Sequence, residues 1–230
     1  MTLNELVYDL IESVVGTPTD DEEIDLRKVA FWIKNQRALW LRNQFNKGES
    51  IDDEVTQTLD NVEVELYDTI DNKVRLHKPV LRSILTIPGT IERHHKPTIV
   101  RVGSLDYTDI KFNIISYDRV PYANSGRFSK YDCNAFLLNN RLHIIGYHDN
   151  MKWKAIKTVH LVGVFEDPEL AGKFNGGLWN WDSQYPLKSW MYDYMKAEIK
   201  KLDFNMFLTD KTNDANSNNL GNGTQQEKQR

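Results

Sequence analysis

Residues 27–47, RKVAFWIKNQRALWLRNQFNK, decide the fold, because they read as a helix with more apolar surface than one buried face uses. Leu26, Val29, Ala30, Ile33 and Trp40 follow helical spacing and make a core-facing stripe. Ile24, Phe31, Ala38 and Phe45 recur every seven residues on nearly the opposite side, and Trp32 and Leu39 form a third line. A helix that is apolar on several sides is either enclosed by a large domain or wedged between neighbours. In a chain of 230 residues this favours a protein that lives in an assembly. Cover by flanking helices and a sheet of the same chain is the competing reading.

The charges around this stretch reverse sign. Arg27, Lys28, Lys34, Arg37, Arg42 and Lys47 make it basic, with no acid inside. Residues 1–26 carry Glu5, Asp9, Glu12, Asp20, Asp21, Glu22, Glu23 and Asp25 and no lysine or arginine, and residues 48–72 carry nine acids and no base. Part of the pattern suits the helix macrodipole. The remainder fits a basic face paired with acidic neighbours, within the chain or across subunits. Nucleic-acid binding through helix 27–47 is the alternative function, against which the acidic flanks would repel phosphate.

Composition bounds the class. A net charge of −4 and 40% hydrophobic content describe a globular protein able to bury a core. The acidic balance argues against general nucleic-acid packaging. Cys133 is the single cysteine, so no intrachain disulfide forms and nothing demands an oxidising compartment. The N-terminal MTLNELVYDLIESVVG has acids where a signal peptide needs bases. No apolar run approaches the ~20 residues of a membrane span. The expected site of action is the cytosol, or a particle assembled there.

The expected fold is α+β: an N-terminal helical hairpin (1–50), a mostly antiparallel β domain (51–182), a C-terminal helix packing on the hairpin (183–209) and an extended polar tail (210–230). Leu3, Leu6, Val7, Leu10, Ile11 and Val14 make the stripe of a first helix over residues 2–15, with Thr2 and Glu5 as a capping box and Gly16 with Pro18 as its stop. A second helix is expected from about Asp20, with Glu23 three residues on, to about Gly48. Residues 51–60 read as short helix or loop. The period then changes to 2, with Val62, Val64 and Leu66 facing one way. Further strands are expected at 80–87, 98–102, 110–117, 135–138, 142–147 and 159–165. Asn139-Asn140 marks a tight hairpin, because Asn tolerates positive φ. The polar run 122–130 reads as an exposed loop. Leu187, Trp190, Met191, Tyr194, Met195, Ile199 and Leu202 form a last helical stripe. The tail TNDANSNNLGNGTQQEKQR has one leucine and no aromatic residue, too little to offset the entropy of ordering it.

Sites of chemistry are scarce. The chain has no GxGxxG, P-loop, GxSxG, CxxC or HExxH pattern. Adjacent His94 and His95 point to opposite faces of an extended backbone, and no cysteine or carboxylate stands at zinc-ligand spacing, so neither a metal nor a cofactor is expected. Cys133, at the start of an expected strand, suits a small buried hydrophobe. A hydrolase or nuclease built on carboxylates such as Asp106 and Asp109 is the enzymatic rival, resting on residues too common to carry it. Trp179 and Trp181, after two glycines, read either as a partner anchor or as a lid over the core.

The order of segments, NELVYDLIESVVG, DLRKVAFWIKNQRALWLRNQ, IDDEVTQTLDNVEVELYD and then a β domain, resembles the virion ring proteins of crAss-like, short-tailed bacteriophages. More broadly it is similar to the head-to-tail adaptors, or tail tubular proteins, of podoviruses. The resemblance is strongest over residues 4–68, weaker to about 165, and absent in the tail. It carries no functional residue position by position. It implies a closed homo-oligomeric ring, commonly a dodecamer, that docks on the portal protein and continues the channel for viral DNA without sequence recognition. It also implies a platform for other tail or ring proteins, and no membrane partner. The interface residues expected from the surplus apolar lines of helix 27–47 and from the tryptophan loop are Phe31, Trp32, Leu39, Phe45, Trp179 and Trp181. Charged residues at Phe31 and Phe45 should leave folded monomers that fail to assemble. Deleting residues 211–230, an arm expected to order on a partner, should weaken docking.

Overall fold

Thr2 and Glu5 cap the first helix reciprocally: Thr2 N donates to Glu5 Oε2 (2.8 Å) and Glu5 N to Thr2 Oγ1 (3.1 Å). Helix α1 then runs over Leu3–Val15. The computed structural model describes residues 1–15, 25–50, 52–70, 74–94, 96–106, 111–127, 131–146 and 151–201. The expected stop at Gly16 and Pro18, the Asp20–Glu23 start and the tail 210–230 all lie outside the described residues. Helix α2 covers Leu26–Asn46, and Asp25 caps it by accepting from Arg27 N (2.9 Å).

The two helices share one apolar core with the C-terminal helix. Leu3, Leu6, Val7, Leu10 and Ile11 meet Val29, Ala30, Ile33, Leu41 and Phe45, and Met191, Tyr192, Met195 and Ile199 close the third side. Tyr192 OH donates to the carbonyl of Leu6 (2.9 Å) and to Asp9 Oδ2 (2.8 Å), fixing the C-terminal helix against α1. The segment around Tyr185 and Leu187 also enters this core, as do Val55, Ile91 and Val164.

The β region is a closed barrel of seven strands. In chain order the strands are β1 (Gln57–Ile70), β2 (Val74–Ser83), the two-residue β3 (Glu92–Arg93) and β4 (Lys96–Pro97), β5 (Ile99–Ser104), β6 (Lys111–Ile114), β7 (Asn134–Leu138), β8 (Arg141–Ile145) and β9 (Thr158–Gly163). The barrel closes in the order β1-β2-β8-β7-β6-β5-β9, with β3 and β4 paired outside it. Pairing is antiparallel except between β6 and β7, where Asn113 and Ile114 run parallel to Asn134 and Ala135. The crossover that a parallel pair requires includes a 3₁₀ turn over Tyr117–Tyr122. The helices are completed by α3 (Pro168–Gly172) and α4 (Ser189–Ile199).

Local signals placed most elements. Asn139 and Asn140 both take positive φ (51° and 55°) in the β7–β8 hairpin. The ambiguous residues 51–60 hold a 3₁₀ turn, Asp53–Val55, before β1 starts at Gln57. One alternation needs correction. Val62 and Val64 face the barrel core, whereas Leu66 is exposed. Pairing with β9 ends at Glu63, and beyond it β1 pairs with β2.

That extension is a two-stranded ribbon. Ile84 N donates to Glu63 O (2.9 Å), which makes Glu65–Arg82 and Tyr67–Val80 the hydrogen-bonded pairs beyond it. Val80 therefore points its N–H at β1, and position 79 faces the ribbon's other edge. Pro79 stands there, with no N–H to offer.

Candidate functional site

Helix α2 presents two kinds of surface. Its buried residues are Val29, Ala30, Ile33, Arg37, Leu41 and Phe45. From residue 33 the buried positions advance by four, so the stripe drifts about 40° per step around the axis. By the last turn that drift brings Phe45 into the core. Phe45, expected to face outward, packs with the helical core instead. Phe31 and Leu39 stay outside, 59% and 53% exposed. Trp32 is half-buried against the helical core, with Lys28 Nζ 5.4 Å from its ring centroid. Trp40 meets Trp190 of α4 edge to face (5.6 Å), and Trp190 meets Tyr194 in the same manner (6.4 Å). The helical layer thus carries apolar surface beyond its own core.

Arg37 corrects the reading of α2 as a basic face. It is fully buried in the middle of the core stripe. Nε donates to Pro186 O (2.9 Å), Nη1 to Phe165 O (2.8 Å) and Nη2 to Val55 O (3.3 Å), while its carbon lies 5.7 Å from the Tyr185 ring. Burial holds its pKa below the usual arginine value. Of the other bases, Lys34 bridges Asp167 and Glu169, and Arg42 lies 3.6 Å from Glu92.

The tryptophan loop splits in two. Trp179 packs across Gly172, so closely that a Cβ there would come within 2.4–2.6 Å of it, and its Nε1 is buried without a partner among the described residues. That is the lid arrangement. Trp181 is half-buried and, with Phe31, flanks a groove whose floor holds Lys34, Asp167 and Glu169. Phe31 and Trp181 are therefore brought together, Trp32 and Leu39 stand along another side of α2, and Phe45 and Trp179 turn inward.

Two carboxylates are tuned by this architecture. Hydrogen bonds from Lys173 and then Lys34 hold Glu169 below its ordinary pKa. At Asp9 burial works to raise the pKa, but hydrogen bonds from Lys196 and Tyr192 outweigh it and the net shift is downward. These are ties between elements, and neither group adjoins a nucleophile.

A second groove, which the sequence reading missed, lies on the outer face of β2, β8 and β7. Val80, Phe136 and Ile145 form a small cluster there, sealed by Leu76, Ile115, Val120 and Leu138. His143 stacks on Phe136 (5.1 Å) and burial lowers its pKa. The signal was available: NAFLL and RLHII are continuous apolar runs where a half-solvated strand would alternate.

Among the described residues no group of histidines, cysteines and carboxylates is arranged to hold a metal ion, and no helix is long and apolar enough to cross a membrane. Asp106 ends in an exposed turn, and Asp109 and His95 lie outside the described residues. Cys133 is partly buried against the barrel core. What the surface does carry is apolar and aromatic side chains on finished elements, the equipment of a subunit. A family model described as phage tail ring protein 2 (CrAss_Ring_2) matches residues 5–227. The chain belongs to that family. The match extends through the barrel and into the polar tail, well past the segment 4–68 where the resemblance is strongest. No match was found among curated proteins. As a crAss-like phage tail ring protein the chain has a structural role in the virion, in assemblies with other phage proteins.

Proposed function

We propose that this tail ring protein forms a closed homo-oligomeric ring, a dodecamer, in the portal–tail connector, where it continues the DNA channel and offers a docking platform for later tail proteins. The observation that carries the self-association is the surplus on α2: Phe31 and Leu39 stand exposed on a helix whose core stripe is already complete. Phe31 with Trp181 forms one flank of the subunit contact and Trp32 with Leu39 another, as heterologous ring packing requires of each copy. The polar segment 210–230 serves as an arm along a neighbouring protein. The work is interface chemistry, with no bond-making step, cofactor or metal.

The nucleic-acid reading of helix 27–47 loses its main residues, since Arg37 is buried and Lys34 and Arg42 face carboxylates. DNA is on this proposal a passenger in the channel.

Electron microscopy of the purified protein, with and without portal protein, tests the reading. Rings that dock on the portal are expected. Phe31→Asp with Leu39→Asp should give folded subunits, judged by an unchanged thermal transition, that no longer assemble. Rings of the same yield from that double variant would remove α2 from the contact, and a wild-type chain that stays monomeric with and without portal would sink the proposal.

A further inference from the structure

Strand β1 outlasts its neighbour. β9 pairs with it as far as Glu63, and Val64 N then donates to Lys157 O (2.8 Å). Among the described residues no strand pairs with that side of β1 further on. Glu65 and Tyr67 turn their backbone groups to β2, so the carbonyl of Val64 and both backbone groups of Leu66 face the side that β9 has left. Val62 and Val64 are buried on the core-facing line of the strand, but Leu66, next on that line, is 53% exposed. The ribbon's other edge is blunted by Pro79, and Lys78 beside it is tied to Ala123 O (2.8 Å). Residues 64–70, VELYDTI, hold neither proline nor lysine; their charges are Glu65, paired with Arg82 (3.0 Å), and Asp68. A strand edge of this kind can accept an added strand.

A segment with the pattern of a strand follows α4. In LDFNMFLT, residues 202–209, Leu202, Phe204, Met206 and Leu208 alternate with Asp203, Asn205 and Thr209, and Phe207 is the exception. The segment lies outside the described residues. Helical spacing continued from Ile199 takes up Leu202 and Met206 but leaves Phe204, Phe207 and Leu208. A strand laid beside Leu66 would turn Phe204 and Met206 to the core-facing side with it, and Asn205 away.

Reach decides which copy supplies that strand. Val55 stands in the helical core just before β1, and Leu66 lies nine residues beyond Gln57 along the strand, about 30 Å away. Helix α4 ends at Ile199, also in the helical core. From Ile199 to Asn205 the chain spans at most about 20 Å. The segment therefore falls short of Leu66 in its own copy. We infer that residues 202–209 of one copy add as a strand to the β1 edge at Leu66 of the next copy. The inference rests on the ring reading and gives that ring a backbone-paired joint between two different surfaces of the chain, as a heterologous contact requires.

Cysteine cross-linking tests it. In a Cys133→Ala background, full-length Leu66→Cys protein is mixed with Phe204→Cys or Met206→Cys protein and oxidised. Disulfide dimers are expected in at least one mixture and from none of the proteins alone. Dimers from Leu66→Cys alone would mean that β1 edges pair with each other, and an intrachain disulfide in a dilute chain carrying Leu66→Cys and Met206→Cys would mean that the segment reaches its own edge; either outcome, or no link at all, overturns the inference. Leu66→Pro removes the one N–H that faces the open side and leaves the β1–β2 bonds in place. It should weaken self-association about tenfold or more with an unchanged thermal transition, as should Phe204→Asp with Met206→Asp, whereas Leu66→Val keeps the N–H and should assemble normally. Rings formed by the Leu66→Pro and Phe204→Asp/Met206→Asp proteins as readily as by the wild type would discard this joint and leave the ring reading intact. A wild type that neither assembles nor cross-links discards both.

Discussion

Arg37 occupies a core position in a helix whose other bases face outward, and the physical chemistry of a buried guanidinium explains how it stays there. Removing a cation from water is costly unless its donors are met. Here carbonyls of Val55, Phe165 and Pro186, from three separate stretches of chain, meet them. The planar fork of arginine suits that divergent arrangement, and a lysine ammonium, with its donors on one atom, does not. Arg37→Ala should therefore lower stability by about 3 kcal/mol or more, since it leaves buried carbonyls unmet as well as a cavity. Arg37→Lys should recover little of the loss. Urea unfolding of the three proteins measures this, and full recovery by lysine would show that charge rather than geometry matters.

Between elements, the ties are carboxylates. Asp9 joins α1 to α4 through Tyr192 and Lys196, and Glu169 joins α3 to α2 through Lys34. Both folded pKa values are depressed, so their stabilisation is present above the ordinary carboxylate range, near about 4, and is lost as pH falls through the folded values. Glu169→Gln should cost more stability at pH 7 than at pH 3. Urea midpoints at the two pH values check the sign, and an equal cost at both would separate Glu169 from the acid limb. The elements themselves were legible where their signals are local: the Thr2–Glu5 box, the paired asparagines at 139–140, the strand at 159–165. Partner-dependent features were not. The exposure of Leu66 follows from where β9 ends, the burial of Phe45 from the slow rotation of a four-residue stripe, and closure of the sheet from a parallel β6–β7 pair that no short window of sequence announces. The exposure of Phe31 and Leu39 was readable because surplus apolar periodicity is itself a local pattern. The β2–β8–β7 groove depends on three strands separated in sequence.

On the scale of the whole molecule, a helical core and a barrel core are joined through Val55, Ile91 and Val164, which leave the strand region to pack among the helices. The barrel is closed, and the ribbon that extends from it carries Pro79 on one open edge. That geometry bears on the fate of subunits awaiting incorporation. A pool of identical chains with free strand edges is a template for cross-β growth, and crowding accelerates it. Closure removes the edges of the main sheet, and the missing N–H at Pro79 interrupts one of those that remain. Pro79→Val should then shorten the lag before thioflavin-binding fibres appear in concentrated, unassembled protein, while the parent chain stays clear over the same incubation. Equal lags would mean that the proline protects nothing. By this account the same closure that shapes the building block also sets how long it keeps before it is built in.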